Sequence, residues 1–190
     1  MAARESRMLA LGTSAPPFNL ADGKGKRFAL KDFAGSKGLL VAFICNHCPY
    51  VKHILEGFVE FAREYGPKGL AIVAINPNDA DARPEDSPQN MIRIAAQKGF
   101  TFPYLVDETQ AVAKAYQAAC TPDFFLFDSA RKLAYRGQFD ASRPGNGSPV
   151  TGSDLRAAVD SLLAGRPIAR QIPSIGCSIK WKPGQAPTWA

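Results

Sequence analysis

The most continuous apolar stretch of the chain is "GLLVAFIC", Gly38 to Cys45, and its pattern changes period just beyond it. A run of this length, partly β-branched and without polar alternation, suits a strand buried on both faces. From Pro49 onward Tyr50, Val51, Ile54, Leu55, Phe58, Phe61, Ala62 and Tyr65 recur at helical spacing until Gly66-Pro67 stops them. "LAIVAIN", Leu70 to Asn76, is a second buried run. Together these predict a βαβ unit, whose two strands pair in parallel across a right-handed crossover.

Before this unit, "APPFNLADGKGKRFALKDFAG" alternates extended residues with turn signals at Asp22-Gly23 and Gly25, after a loose N-terminus. After it, a polar loop over 77–85 leads to Ser87-Pro88, an N-cap followed by Pro at the first helical position, and a helix to about Lys98. "FPYLVD" predicts a short strand and Thr109 to about Ala118 a short helix. "DFFLFD" and "KLAYRGQF", joined by Asp128-Ser129, predict an antiparallel hairpin. "SDLRAAVDSLLAG" predicts a last amphipathic helix, capped by Ser153 or Thr151 and ended by Gly165. The order β-α-β-α-β-α-β-β-α argues for an α/β protein with a central mixed sheet and helices on both faces. The remainder, rich in Pro and Gly after Ile172, reads as irregular.

With 190 residues and 46% apolar content, the chain suits one domain, because domains run to about 100–200 residues. We assign 1–166 to that domain and 167–190 to a C-terminal tail packed on it. No segment reaches the roughly 18 apolar residues of a spanning helix, and too few apolar residues follow Arg4 and Arg7 for a signal peptide. The expected location is therefore cytoplasmic, with no membrane partner. The formal charge of +6 is spread over basic residues scattered among acids and prolines. That distribution reads as solvated surface rather than a nucleic-acid face.

Four cysteines, Cys45, Cys48, Cys120 and Cys177, are too few and too uneven for a secreted disulfide scaffold, and in a reducing compartment cysteine pairs are usually catalytic. Cys45 and Cys48 fall where the buried strand meets a helix N-terminus. There the orphan amides and macrodipole favour a thiolate, the attacking species. His47 stands between them, placed to add charge or a hydrogen bond beside Cys45. His53, further along the helix, reads as a surface or packing residue. A metal clip would need a second pair of ligands, and Cys120 and Cys177 would both have to converge on the first pair.

The chain resembles the thioredoxin-fold superfamily, and within it the redoxin branch that groups peroxiredoxins (the alkyl hydroperoxide reductase and thiol-specific antioxidant proteins) with thioredoxin-like thiol-disulfide oxidoreductases. The resemblance runs from about Leu11 to Ala164. It is carried by the "LGTSAPPFNLADGKGKRFALKDFAGSKGLLVAFI" entry, by "CNHCPYV" and by "CTPDFFLFD". It implies a thioredoxin-like fold with a βα insertion in the 76–107 region. It also implies Cys45 as attacking thiol, Cys48 as resolving thiol, and a cis peptide at Thr121-Pro122 opposite the pair, with exposed backbone for a substrate to pair with. Two departures stand out. Leu39 occupies the strand position where plain thioredoxin has a buried acid, and Asn46-His47 replaces Gly-Pro. The peroxiredoxin signature aligns its reactive cysteine with Cys48, but puts Val41 at its proline, Cys45 at its hydroxyl position and Thr121-Pro122 in place of its arginine.

The leading expectation is a thiol-disulfide oxidoreductase that uses the Cys-Asn-His-Cys dithiol. It needs no cofactor and no metal, acts on a protein or small-molecule disulfide, and draws electrons from a donor such as a thioredoxin or a reductase. The alternatives are an antioxidant thiol peroxidase, with Cys48 or Cys45 oxidised by peroxide, and a metal-binding or redox-sensing module. Cys120, just before Thr121, is read either as a third active-site thiol facing Cys45 or as an inert packed one. Cys177 is read either as a distal resolving thiol or as a small apolar anchor for the tail. Asn76, Asn78 and Asp79, after a strand end, are candidates for the border of a substrate groove.

Overall fold

The computed structural model describes residues 3–189. Met1, Ala2 and Ala190, at the outer ends of the assigned domain and tail, lie outside the described residues. The strands are β1 (Ala3–Glu5), β2 (Asn19–Asp22), β3 (Arg27–Ala29), β4 (Gly38–Phe43), β5 (Leu70–Asn76), β6 (Tyr104–Val106), β7 (Cys120–Thr121), β8 (Asp123–Asp128), β9 (Leu133–Gly137) and β10 (Ile175–Ser178). The helices are α1 (Pro49–Tyr65), α2 (Pro88–Lys98), α3 (Ala111–Ala115) and α4 (Ser153–Leu163).

A seven-stranded sheet runs in the order β3-β2-β6-β5-β4-β8-β9. β4 pairs in parallel with β5 and β5 with β6, while β8 runs antiparallel to β4 and β9 antiparallel to β8. The sheet is mixed and β4 is interior, as its unbroken apolar run predicts. Alternation along β4 sends Leu40 and Ala42 to one face and Leu39, Val41 and Phe43 to the other. The first face packs under α1, α2 and α4, where Phe58 meets Phe61, Phe102, Phe124 and Phe139. The second packs under α3, where Tyr116 stands edge-on to Phe43 and Phe125. Each such fully buried side chain contributes about 1.5–3 kcal/mol, so this two-sided core fixes where β4 ends and α1 begins. The expected insertion supplies α2 and β6. No helix among the described residues is long and apolar enough to cross a membrane.

Ser87 caps α2 by accepting from the Asn90 amide, and Gly99 ends it in the left-handed conformation at φ 65°, which a glycine adopts without strain. Three local expectations are corrected. Helix α3 starts at Ala111 rather than Thr109, because Gln110 is left-handed and the Asp107 carboxylate accepts the Val112 and Ala113 amides. Helix α4 has neither Ser153 nor Thr151 at its cap position, although the Thr151 hydroxyl accepts the Ser153 amide at 3.3 Å. Gly152 holds the cap position at φ 66°, and Asp140 accepts the Thr151 and Gly152 amides from outside the helix.

The third correction matters for function. The N-terminus is not loose and the tail is not wholly irregular, since β1 and β7 flank β10 in a separate three-stranded antiparallel sheet. Cys177 lies opposite Thr121 and Ser178 opposite Cys120. Gly176 makes this approach possible, because a Cβ there would stand 2.1 Å from the Thr121 carbonyl oxygen. The tail is further held by the Asp79 amide on the Lys180 carbonyl at 2.9 Å, the Lys180 amide on Asn78 at 2.8 Å and the Lys182 amide on Gln110 at 2.8 Å.

Candidate active site

Cys45 follows β4 and Cys48 is the N-cap of α1, with Pro49 at the first helical position. Pro needs no amide partner there, so the strand-to-helix turn closes without an orphaned donor. Across from it, Thr121-Pro122 is a cis peptide. Strand alternation turns the Thr121 side chain toward the pair, where its hydroxyl lies 3.2 Å from the Cys45 sulfur. The Thr121 carbonyl accepts from the Cys48 thiol at 3.1 Å. All four cysteines are unlinked and buried.

The two thiols share a proton unequally. Cys48 is lowered to about 5, first by the hydrogen bond from Cys45 against the cost of burial, then by the Cys177 thiol and the amides of Val51 and Cys177. Cys45 is pushed well up, first by burial, then by its bond to Cys48 and the nearby Asp86 charge, with only the Thr121 hydroxyl opposing. Burial likewise raises Cys120 well above the usual range and Cys177 to about 12. Far-ultraviolet thiolate absorbance is therefore expected to develop one thiolate per chain with a midpoint near pH 5, the other three thiols staying protonated well past neutrality. Cys45→Ala removes the largest cause and is expected to raise that midpoint by about one to two units, since a hydrogen bond to a charged group is worth about 1.5–3 kcal/mol. An unmoved midpoint would show that Cys45 does not stabilise the charge.

A buried acid other than one at Leu39 lies beneath the turn. Asp86, in the loop before α2, sends its carboxylate under the CxxC turn and accepts the Asn46 amide at 2.7 Å, the His47 amide at 3.3 Å, the His47 ring at 2.6 Å and the Asn78 side chain at 3.0 Å. Burial would push this carboxyl up, but these bonds, His47 first, hold it below the usual carboxylate range. Sequence reading missed Asp86 because its partners in the CxxC turn, Asn46 and His47, lie 40 and 39 positions away, and "PEDSP" carries only loop and cap signals. His47 is thus directed at Asp86 rather than bonded to either sulfur, and its Nε2 is buried without a partner. Cys45, His47 and Asp86 bring ligand atoms within 4.8 Å of one another, which makes them the candidate metal donors among the described residues.

The remaining expectations divide. Cys120 does not face Cys45: it occupies the opposite side of β7 from Thr121, and its thiol donates to the Pro122 carbonyl at 3.5 Å. Cys177 packs beside the pair, in the same buried cluster as Cys45 and Cys48, and is among the groups that lower the Cys48 thiol. The backbone of Thr121 is not exposed, because β10 already pairs with it. Asn76 and Asn78 brace Asp86, and with Asp79 they border a 230 Å³ cavity. A second cavity of 240 Å³ reaches Cys45 itself and is lined chiefly by Ile44, Val51, Leu55, Ile94 and Phe100.

The chain is 29% identical over 129 residues to the thiol-disulfide oxidoreductase ResA of Geobacillus thermodenitrificans, covering 68% of this chain and 70% of that one. A crystal structure of an uncharacterized conserved protein from Geobacillus kaustophilus superposes with a TM-score of 0.94 at 56% identity, covering 97% of this chain and 98% of that one. The thioredoxin domain of a thiol-disulfide oxidoreductase from Bacteroides vulgatus superposes at 0.58 with 20% identity, over 78% of this chain and 97% of that one, which establishes the thioredoxin-like fold. Residues 11–136 match the AhpC/TSA family, so a mixed sheet that presents a dithiol opposite a cis-proline is here one member's version of a shared scaffold, and the chain belongs to the AhpC/TSA family.

Proposed function

We propose that the protein is an oxidoreductase that exchanges thiols and disulfides through Cys45 and Cys48. The observation that carries this reading is the pair of adjacent free sulfurs at the N-terminus of α1 opposite cis Thr121-Pro122. The likeness to ResA supports the same class of reaction.

In the resting dithiol the two sulfurs share one proton, Cys48 being the more acidic of the two. A disulfide entering the 240 Å³ cavity meets Cys45, because Cys48 is wholly enclosed. As the proton passes to Cys48, the Cys48 thiol donates to the Thr121 carbonyl and the Cys45 thiolate accepts the Thr121 hydroxyl. The thiolate attacks one substrate sulfur, and the other leaves as a thiolate and takes a proton from water. Cys48 then gives up its proton and attacks the Cys45 sulfur of the mixed disulfide, closing the Cys45–Cys48 bond, and the second substrate sulfur leaves and takes up that proton as a thiol. Proximity gives this step a high effective concentration. An external dithiol donor, a thioredoxin or a reductase, returns the pair to its reduced form. The apolar lining favours a disulfide flanked by apolar groups, whether in a protein or a small molecule. Asp86 and His47 act as positioning residues that hold the turn. The small number and uneven spacing of the cysteines support a cytoplasmic, reducing setting.

A peroxidase would need a cation and hydroxyl set to polarise the peroxide bond. The buried Arg136 is already engaged by Asp123, the Gln117 carbonyl and the Phe125 ring. Wild-type protein given dithiothreitol is expected to speed insulin disulfide reduction by about tenfold or more over dithiothreitol alone, and to consume hydrogen peroxide no faster than a free thiol. The reverse preference would replace this reading with the peroxidase one.

A further inference from the structure

We propose that Cys177 is a third redox thiol of this site, carried by β10 to exchange with the Cys45–Cys48 disulfide. The inference rests on the thiol-disulfide reading above and extends it to a residue of the tail.

Three features of the structure support it. First, β10 lies along the cis-proline loop, with Cys177 directly opposite Thr121, the residue whose side chain and carbonyl touch Cys45 and Cys48. That backbone edge is where a substrate strand was expected to pair, so the tail sits as an internal substrate does. Second, the approach depends on Gly176, where a Cβ would stand 2.1 Å from the Thr121 carbonyl oxygen and 2.5 Å from its carbon. Backbone on the far side cannot move aside as a flexible side chain can, so the sequence keeps the strand this close at the cost of a side chain. Third, Cys45, Cys48 and Cys177 are buried in one cluster where β10 packs against α1, and Cys177 is among the groups that lower the Cys48 thiol. Cys177 is buried like Cys45 but, unlike Cys45, is not among the residues lining the 240 Å³ cavity, so a disulfide entering there does not meet it and its partner within the core is Cys48.

The chemistry is an isomerisation. With Cys45 and Cys48 joined, Cys177 loses its proton and attacks the Cys48 sulfur. The Cys48–Cys177 bond forms, the Cys45–Cys48 bond breaks, and Cys45 leaves as a thiolate that takes up the proton. One disulfide and one thiol stand on each side, so no outside oxidant or reductant enters. Cys45, the thiol that lines the cavity, is thereby freed while the protein remains oxidised. An oxidised chain can then open a second exchange with a bound partner, or hold its disulfide behind β10.

The test begins with full-length protein oxidised by diamide to one disulfide per chain, quenched in acid, alkylated after unfolding and mapped by mass spectrometry. In Cys45→Ser, a Cys48–Cys177 link is expected in most chains, and in Cys48→Ser no link to Cys177. In oxidised wild type, Cys45 is expected to be alkylated by iodoacetamide before unfolding, and in oxidised Cys177→Ser this labelling is expected to fall by about tenfold or more. The proposal is overturned if Cys177 is recovered as a free thiol in oxidised Cys45→Ser, or if Cys45 labelling is the same with and without Cys177. Insulin reduction by the wild type is read separately. Its absence alongside a Cys48–Cys177 link would remove the oxidoreductase reading, and its presence without the link would remove only the role of Cys177.

Discussion

Cys45→Ala is expected to lower the rate of disulfide reduction by about a thousandfold or more, the scale of loss seen when a nucleophile that acts as one unit with its neighbours is removed. Cys48→Ala is expected to be as slow in turnover but to accumulate a covalent mixed disulfide between Cys45 and the substrate, visible as a mass increase that dithiothreitol reverses. The two variants separate reach from charge. Cys48 is the more acidic thiol, lowered to about 5, and acidity alone would nominate it as the attacking group. It is nevertheless completely buried, shut in by the first turn of α1, the Thr121 carbonyl and β10. Cys45 is pushed up by burial and by Asp86 but opens on the 240 Å³ cavity. A substrate sulfur must align with the attacking one at contact distance, so access decides and the neighbouring thiolate serves as the proton acceptor. A stable adduct on Cys48 in the Cys45→Ala protein, with none on Cys45 in the Cys48→Ala protein, would reverse the two roles.

What the residues reveal in advance follows from the range of the forces involved. β4, α1 and β5 are legible because an apolar period is a local signal and each element buries a whole face. The CxxC and the Thr-Pro are legible because chemistry ties each motif to one place in the fold. Asp86 is not, since its importance comes from four hydrogen bonds made by residues distant in sequence or folded over it, and none leaves a periodic trace. β10 is hidden for a related reason: four residues with a glycine at the second position carry little strand propensity. The strand exists because β1 and β7 arrive on either side of it. Cys120 shows the same limit: adjacency to Thr121 leaves a shared site and an inert packed thiol both open, and only the alternation of a strand, which turns neighbouring residues opposite ways, favours the packed one. The tail also bears on the CxxC turn indirectly, because Asn78 accepts the Lys180 amide and donates to Asp86, which in turn holds His47.

Replacing Arg136 by leucine is expected to cost about 3–5 kcal/mol at neutral pH, the usual penalty for leaving one member of a buried ion pair alone. Arg136 and Asp123 are both fully buried, joined at 3.1 Å, with the guanidinium 4.2 Å above the Phe125 ring and donating to the Gln117 carbonyl. Burial raises the Asp123 carboxyl to about 6 in spite of Arg136. A folded value above the unfolded one of about 3.9 means that this group's contribution to stability is fully present below about pH 3.9 and is lost as the pH rises through about 6. Without Arg136 the folded value moves higher still, so the loss continues past the point where the wild type has finished losing. The stability gap between variant and wild type should therefore widen from acid to neutral pH, and urea titrations at about pH 5 and at neutrality measure it directly. Arg136→Leu combined with Asp123→Asn removes the titrating carboxyl, so its own stability should lack this pH dependence and its gap from wild type should narrow, rather than widen, toward neutrality. Because Asp123 directly follows Pro122 and accepts the Ala119 amide at 3.3 Å, the same pair braces the loop that faces both sulfurs. A gap that stays constant with pH would mean that Asp123 is already neutral in the wild type and that Arg136 acts only through its packing on Phe125 and its bond to Gln117.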